Sequence, residues 1–428
     1  MHKGEEWRLD YVGRVEGEGG LDLILSHGLV EEARLRIFEP PRFFEGFLEG
    51  RHYSEIMDIT ARICGICPIS YQMAAATAIE EAFDYTPSDQ VKQLRRLFSW
   101  AEVMQSHALH VYMLAAPDYL GVDGLGELAR RFPAVVERAL RMKRTVNDLS
   151  KTIGGREVHP VGPRVGGFYD VPSRQDFASL REPFLRVRED AIETIRTVAG
   201  FQLPEMDRDT DYLCLSHPDQ YALNYGYVKT FRGAEFPIAK FLDFVDERQV
   251  GHSNALQCQL RLTGTYQTGP LARVNNNHEQ LSKTTKEVLS EVGASFPSQN
   301  PFMSIIAHGA EILTGVEECL ELMEDFEPEP EDPEIIPRAS VGFGISEAPR
   351  GSLFHRYEFN DDGIVTRARL IPPTAQNLAR IEDDLMMYAP RLLDKSREEL
   401  SLACETLIRS YDPCISCATH FLKVRVIE

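Results

Sequence analysis

Cysteines in two pairs carry the strongest chemical signal in this sequence. Cys64 and Cys67 lie in Arg62-Ile63-Cys64-Gly65-Ile66-Cys67-Pro68, and Cys414 and Cys417 lie in Asp412-Pro413-Cys414-Ile415-Ser416-Cys417-Ala418-Thr419-His420. The turn within a CxxC places both sulfurs on the same side, so two such pairs can gather four thiolates around a metal. Structural zinc is one reading, but zinc ribbons and knuckles close short local loops, and these pairs stand near opposite ends of the chain. Two unrelated surface dithiols are another reading, against which the motif contexts weigh. The other four cysteines, Cys214, Cys258, Cys319 and Cys404, are isolated in apolar or helical contexts and read as small core fillers.

Elements from both ends must meet to unite the pairs. Leu21, Leu23 and Leu25 alternate with polar neighbours, His27-Gly28 supplies a turn, and Ala33, Leu35 and Ile37 alternate again, which predicts a hairpin. Helical periodicity takes over in the run from 73 to 83 and in the long stretch from Gln90 to Leu114, where Leu94, Leu97, Phe98, Ala101 and Met104 form an apolar stripe. Further helical patterns cover 127–152, 174–199, 279–293 and 303–323. The acid- and proline-rich segment from Asp325 to Pro337 predicts a surface loop. A second hairpin pattern turns at Asn360 to Gly363, and a helical pattern from Thr374 to Ser410 is interrupted at Pro390. The predicted fold is mainly α with α+β elements: a single domain over 1–428, with a long-helix bundle core and β hairpins near both termini.

Composition narrows the function classes. With 46 Lys+Arg against 66 Asp+Glu the formal net charge is −20, which argues against nucleic acid or an anionic membrane as partner. A hydrophobic fraction of 43% supports a buried core. No apolar run of about 18 residues predicts a membrane span, and the first ten residues lack the apolar region of a secretory signal.

The ordered motifs resemble the large, catalytic subunit of nickel-iron hydrogenases along essentially the whole chain. Arg14-Val15-Glu16-Gly17 matches the family's Arg-x-Glu-Gly, Arg62 to Cys67 its Arg-x-Cys-Gly-x-Cys, and Asp412 to His420 its Asp-Pro-Cys-x-x-Cys-x-x-His. Between them lie Ser106-His107-Ala108-Leu109-His110, Gly154-Gly155-Arg156 and Glu347-Ala348-Pro349-Arg350-Gly351. The resemblance implies reversible heterolytic cleavage of H2. It implies nickel on Cys64, Cys67, Cys414 and Cys417, with Cys67 and Cys417 bridging to an iron that carries two cyanides and one carbon monoxide. Arg350 is the implied cation beside the thiolates and Glu16 the implied proton gate at Cys414. Glu45, a backbone carbonyl near Leu370, and His420 are implied ligands of a second metal, magnesium or iron. His107 and His110 read as hydrogen-bonding residues around the centre rather than ligands.

Some positions depart from the family pattern. Glu18 and Tyr71 stand where many members have histidine, and Ser106 where membrane-linked members have aspartate. These changes resemble the cytoplasmic, bidirectional, NAD(P)-coupled branch. The cysteines left over are too scattered for iron-sulfur wiring, and no GxGxxG fingerprint opens a βαβ unit. Electrons must therefore leave through a partner, which the resemblance implies is an iron-sulfur small subunit linked to a flavin-containing (FAD) module that reduces NAD(P). The family also implies a maturation protease that removes 421–428; the shortness and strand-like pattern of this segment support a second reading, in which it is retained. The rival readings are a noncatalytic scaffold like the quinone-site subunit of complex I and a structural zinc protein.

Overall fold

The computed structural model describes residues 5–27 and 29–419. The first alternating segment forms a three-stranded antiparallel sheet, β1 (Glu5–Leu9), β2 (Gly19–Ser26) and β3 (Leu29–Ile37), with β2 in the middle. Leu21 pairs with Leu35 and Leu23 with Ala33, all four buried, so the period-two pattern sets one face against the core. β1 extends the predicted hairpin by one strand. Of the predicted turn, Gly28 lies outside the described residues.

Five long helices make the bundle. α1 (Pro68–Phe83) starts immediately after Cys67, five residues ahead of the apolar run, because Pro68 has the backbone angle of a first helical residue and no N–H to orphan there. α2 (Asp89–Leu109), capped by Ser88 Oγ on the Val91 amide, passes without a break into a π-helical stretch, His110–Ala115. The pattern over 127–152 divides at Phe132 into a short helix, Leu125–Arg131, and α3 (Pro133–Gly154), since Pro133 cannot continue the preceding ladder. α4 (Arg174–Ala199) and α5 (Ser304–Glu324) pack on each other and, with α2 and α3, complete the bundle. The predicted helix at 279–293 is shorter, Lys283–Glu291.

No helix or strand lies between Glu324 and Ser340, as the acid- and proline-rich loop requires. The second hairpin, β5 (Gly351–Phe359) with β6 (Val365–Ile371), gains a strand, β4 (Ser340–Ala348), in front of it. β4 lies on α1 so closely that a Cβ at Gly342 would stand 1.9 Å from the Ala78 carbonyl oxygen. Alanines on the helix and glycine on the strand are the two halves of that contact. α6 (Pro373–Tyr388) and α7 (Arg397–Ser410) flank the predicted break at Pro390, which lies in a 3₁₀ turn. Between α4 and α5, short strands around Asp211–Ser216 and the pair Val245–Gln249 with Leu256–Leu260 appear. Runs this short carry too few residues for a periodic signal.

Two apolar clusters meet near the C-terminus. One surrounds α1 to α5 and includes all four paired cysteines. The other joins the first sheet to α6 and α7 and includes Ile415 and Ala418. Residues of a single segment, 414–418, thus alternate between the two cores at their seam. Among the described residues, no helix is long and apolar enough to cross a membrane.

Candidate metal centre

Local chain geometry presents each thiol at the end of a turn. Cys67 caps α1, and Cys414 caps the short helix Ile415–Ala418 that follows α7. The fold brings the two pairs together: Sγ of Cys64 lies 3.6 Å from that of Cys414, and Sγ of Cys67 lies 3.6 Å from that of Cys417. Cys414 and Cys417 are 2.9 Å apart, too far for a disulfide, and all eight cysteines are buried. The four paired thiols form one cluster within 4.8 Å.

Electrostatics of this pocket call for a cation. Hydrogen bonds from Cys414, Cys417 and Cys67, helped by the Arg350 charge, pull the Cys64 thiol well below its ordinary range. Burial and the neighbouring thiols push Cys414 well above it. One negative charge is accommodated, whereas four at this spacing repel unless a metal neutralises them. Soft, buried sulfur donors of this number suit thiophilic metals such as zinc, iron and nickel.

Arg350 stands at the β4–β5 turn and is 2% exposed. Its Nε donates to the Asp412 carbonyl at 2.7 Å and its Nη2 to Asp412 Oδ1 at 3.1 Å, while Nη1 has no partner among the described residues. Burial opposes its charge, but Asp412 and the thiols of Cys414, Cys67 and Cys64 outweigh that cost and keep it protonated. A buried donor left over beside clustered thiols fits a metal centre with further ligands. Asp412 is held well below the usual carboxylate range by Arg350 and His110 against the cost of burial; His110 Nδ1 lies 3.1 Å from its Oδ1. His107 bonds instead to Glu311, with Nε2 2.6 Å from Oε2. Neither histidine belongs to the thiol cluster.

Glu16 approaches from the N-terminal loop. It forms an isolated bridge with Cys414, its carbonyl accepts from the Ile415 amide at 2.9 Å, and its half-buried carboxylate Oε2 accepts from the Cys414 thiol at 3.0 Å and the Ser416 amide at 3.1 Å. Gly17 makes the approach feasible: its φ is +85°, and a Cβ there would lie 2.7 Å from Ile415 Cβ. Glu18 is exposed. Tyr71 is buried with its hydroxyl unpartnered among the described residues, and burial followed by the thiols' charge raises its ionisation range. The Ser106 hydroxyl, also buried, has no protein partner there.

Glu45 and Leu370 are brought together as well. The contact is the Leu370 amide donating to Glu45 Oε1 at 2.8 Å; His420 lies outside the described residues.

Several residues that hold the centre carry no sequence signal of their own. Arg42 Nη2 bonds both the Ile63 carbonyl, at 2.8 Å, and the Ser416 carbonyl, so one guanidinium ties the two cysteine segments together. Its place in Pro41-Arg42-Phe43-Phe44-Glu45, next to a predicted ligand, was the available hint. Arg273, paired through two nitrogens with Glu311, donates to the Ala348 and Pro349 carbonyls and so supports the turn that carries Arg350.

Comparison with known proteins agrees with this geometry. The family model for nickel-dependent hydrogenases matches residues 42–128 and 262–420. Sulfhydrogenase 1 subunit alpha of Pyrococcus furiosus is 30% identical over 97% of this chain and 98% of its own. Sulfhydrogenase 2 subunit alpha of the same organism is 32% identical over 97% and 99%. Among solved structures, an NAD+-reducing [NiFe]-hydrogenase in the H2-reduced state superposes with a TM-score of 0.86 at 27% identity, covering 98% of this chain and all of that one. The Ni-Fe-Se hydrogenase of D. vulgaris Hildenborough shares the fold with a TM-score of 0.79. Neither a structural zinc protein nor a noncatalytic scaffold is favoured by these matches. The convergence of both cysteine pairs and the likeness along nearly the full length lead to one conclusion: this chain belongs to the nickel-dependent hydrogenases, as their catalytic large subunit.

Proposed function

We propose that this chain cleaves and forms H2 reversibly in a cytoplasmic complex, with electrons leaving through an iron-sulfur small subunit to a flavin-containing module that reduces NAD(P). The observation that carries the reading is the meeting of four buried thiols with the Glu16 carboxylate and the Arg350 guanidinium. Cys64, Cys67, Cys414 and Cys417 would hold nickel, and Cys67 and Cys417 would share it with an iron bearing cyanide and carbon monoxide. When bound, the two metals supply soft, redox-active Lewis acids that polarise H2 and take up its electrons. The Arg350 charge balances thiolate charge while Asp412 fixes its orientation. A proton on Cys414 Sγ has one hydrogen bond of 3.0 Å to cross to reach Glu16 Oε2, a distance suited to direct transfer. Because Glu16 is half-buried, it can pass that proton outward.

Hydrogenase large subunits pair with iron-sulfur small subunits. The isolated cysteines Cys214, Cys258, Cys319 and Cys404 are buried and dispersed, consistent with wiring in a partner. Supporting NAD(P) as acceptor are the likeness to an NAD+-reducing enzyme and the residues Glu18, Tyr71 and Ser106. Glu45, the Leu370 backbone and His420 are proposed to hold magnesium or iron, and a maturation protease is proposed to remove 421–428. The chain is proposed to be one domain, since its two ends build one site.

Metal analysis of the purified complex, with assays of H2-dependent NAD+ and NADP+ reduction, tests this reading. Nickel and iron together with nucleotide reduction are expected. Zinc without nickel or iron would overturn the metal assignment, and turnover restricted to an artificial dye would overturn the acceptor. Intact mass of the nickel-loaded subunit should end at His420; an active subunit ending at Glu428 excludes processing.

A further inference from the structure

Arg14 opens the Arg-x-Glu-Gly motif, yet its side chain takes no part in the thiol pocket. Its φ is 55°, a left-handed conformation uncommon for a side chain of this kind, so its surroundings must hold it there. Nη1 donates to the Leu114 carbonyl at 2.8 Å, and Nη2 donates to Asp118 Oδ1. Leu114 lies in the π-helical stretch His110–Ala115 and Asp118 in the short helix Ala116–Leu120 that continues it. Interruptions of this kind in a helix recur at functional sites.

Asp118 also binds a second guanidinium. Its side chain is 3% exposed, and Arg409, 1% exposed, donates to it from Nε at 2.7 Å and from Nη2 at 3.0 Å. Arg409 then returns to the gate loop, where Nη1 donates to the Gly13 carbonyl at 2.6 Å. Glu405, one turn earlier on α7, accepts from the Gly13 amide at 2.7 Å. The loop that carries Glu16 is therefore gripped at Gly13 and Arg14, and both grips lead to Asp118. Arg409 stands three residues before Asp412, so the same carboxylate also anchors the segment that runs into Cys414. The proton donor and acceptor are referred to one buried group.

We propose that Asp118 is a positioning residue for hydrogen cleavage: by holding Arg14 and Arg409 together it fixes the loop from Gly13 to Gly17 and keeps the Glu16 carboxylate on the Cys414 thiol. The proposal rests on the reading of Glu16 as proton relay. Among the described residues, direct bonds from Cys414, Ile415 and Ser416 hold Glu16 from one side only. A half-buried carboxylate with one-sided support has solvated alternatives, and displacement of about 1 Å costs on the order of 10²-fold in rate.

The test uses the purified, metal-loaded complex with Asp118→Asn, Glu16→Gln and the double variant. Asp118→Asn is expected to keep nickel and iron content, to raise amide deuterium uptake in a peptide spanning 12–18 but not in peptides from α4 and α5, and to slow H2/D2O isotope exchange by on the order of 10²-fold. In the Glu16→Gln background the same substitution should cause no further slowing. Unchanged uptake over 12–18, or an equal slowing in both backgrounds, overturns the proposal. If Glu16→Gln alone exchanges isotopes at the wild-type rate, the relay reading fails instead, and uptake over 12–18 still decides whether Asp118 holds the loop. Should Asp118→Asn not assemble, Arg14→Lys removes the forked contact while keeping the charge, and the same uptake and non-additivity are required of it.

Discussion

Cys67→Ala or Cys417→Ala removes a thiolate proposed to touch both metals, so each should abolish H2 turnover and lower nickel and iron content. Full metal content with wild-type turnover in either variant would falsify the assignment. The isolated Cys319 and Cys404 are buried without any partner thiol in a cluster, and alanine there should cost packing alone, a few kcal/mol at most, with turnover kept per folded molecule. Glu16→Gln retains size and an acceptor for the Ser416 amide but cannot cycle between charged and neutral forms. Metals should load, while isotope exchange and dye-linked turnover fall by roughly 10² to 10⁴. Exchange at the wild-type rate would move the gate elsewhere, with Glu18 as the next carboxylate along the loop.

At the scale of elements, α1 must begin at the right place for Cys67 to reach its partners. Glu102, on α2 and fully buried, accepts from the Ile69 and Ser70 amides at 2.6 and 2.9 Å and so caps the first turn of α1 from outside. Burial, partly offset by these bonds, raises its pKa to about 8 from an ordinary 4.5. Between those values the native state binds a proton that the unfolded chain has lost, so stability falls as pH rises through the window. The full effect, reached above the native pKa, is at most about 5 kcal/mol at 1.36 kcal/mol per unit. Glu102→Gln should flatten this dependence, read as the slope of thermal unfolding temperature between pH 5 and 8. An unchanged slope would show that another group is responsible.

For the whole molecule, one cluster joins segments 350 residues apart. A ligand that binds only the folded arrangement stabilises it by mass action, about 4 kcal/mol at a thousand times its dissociation constant. A metal-free complex should therefore unfold at lower temperature than the loaded one. Amide protection should drop together in peptides covering 60–70 and 410–419, because neither pair keeps its partner. Identical melting and protection with and without nickel and iron would mean that packing at the seam, not the metal, holds the ends together.

The residues that meet at the thiol cluster were legible because their signals are local. A CxxC turn, the Arg14-Val15-Glu16-Gly17 run and Pro349-Arg350 before a hairpin each depend on near neighbours, and alternation or helical spacing marked both hairpins and every long helix. β4 escaped notice because Gly342 packs against Ala78 instead of alternating in size, and the π-helical turn at His110 leaves the apolar pattern of α2 intact. Which charges meet was not legible. Arg42 reaching Ile63 and Ser416, Arg273 reaching Glu311 and Pro349, and Asp118 joining Arg14 to Arg409 are choices among many similar arginines and carboxylates. The sequence by itself determined the two thiol pairs and the helices, since spacing along the chain fixes a turn or a helical face, while the proposed roles of Glu16 and Arg350 rest on motifs that resemble the family's. Only the tertiary structure decided the partners, because an ion pair between distant residues forms where the packed elements happen to bring opposite charges out of water together.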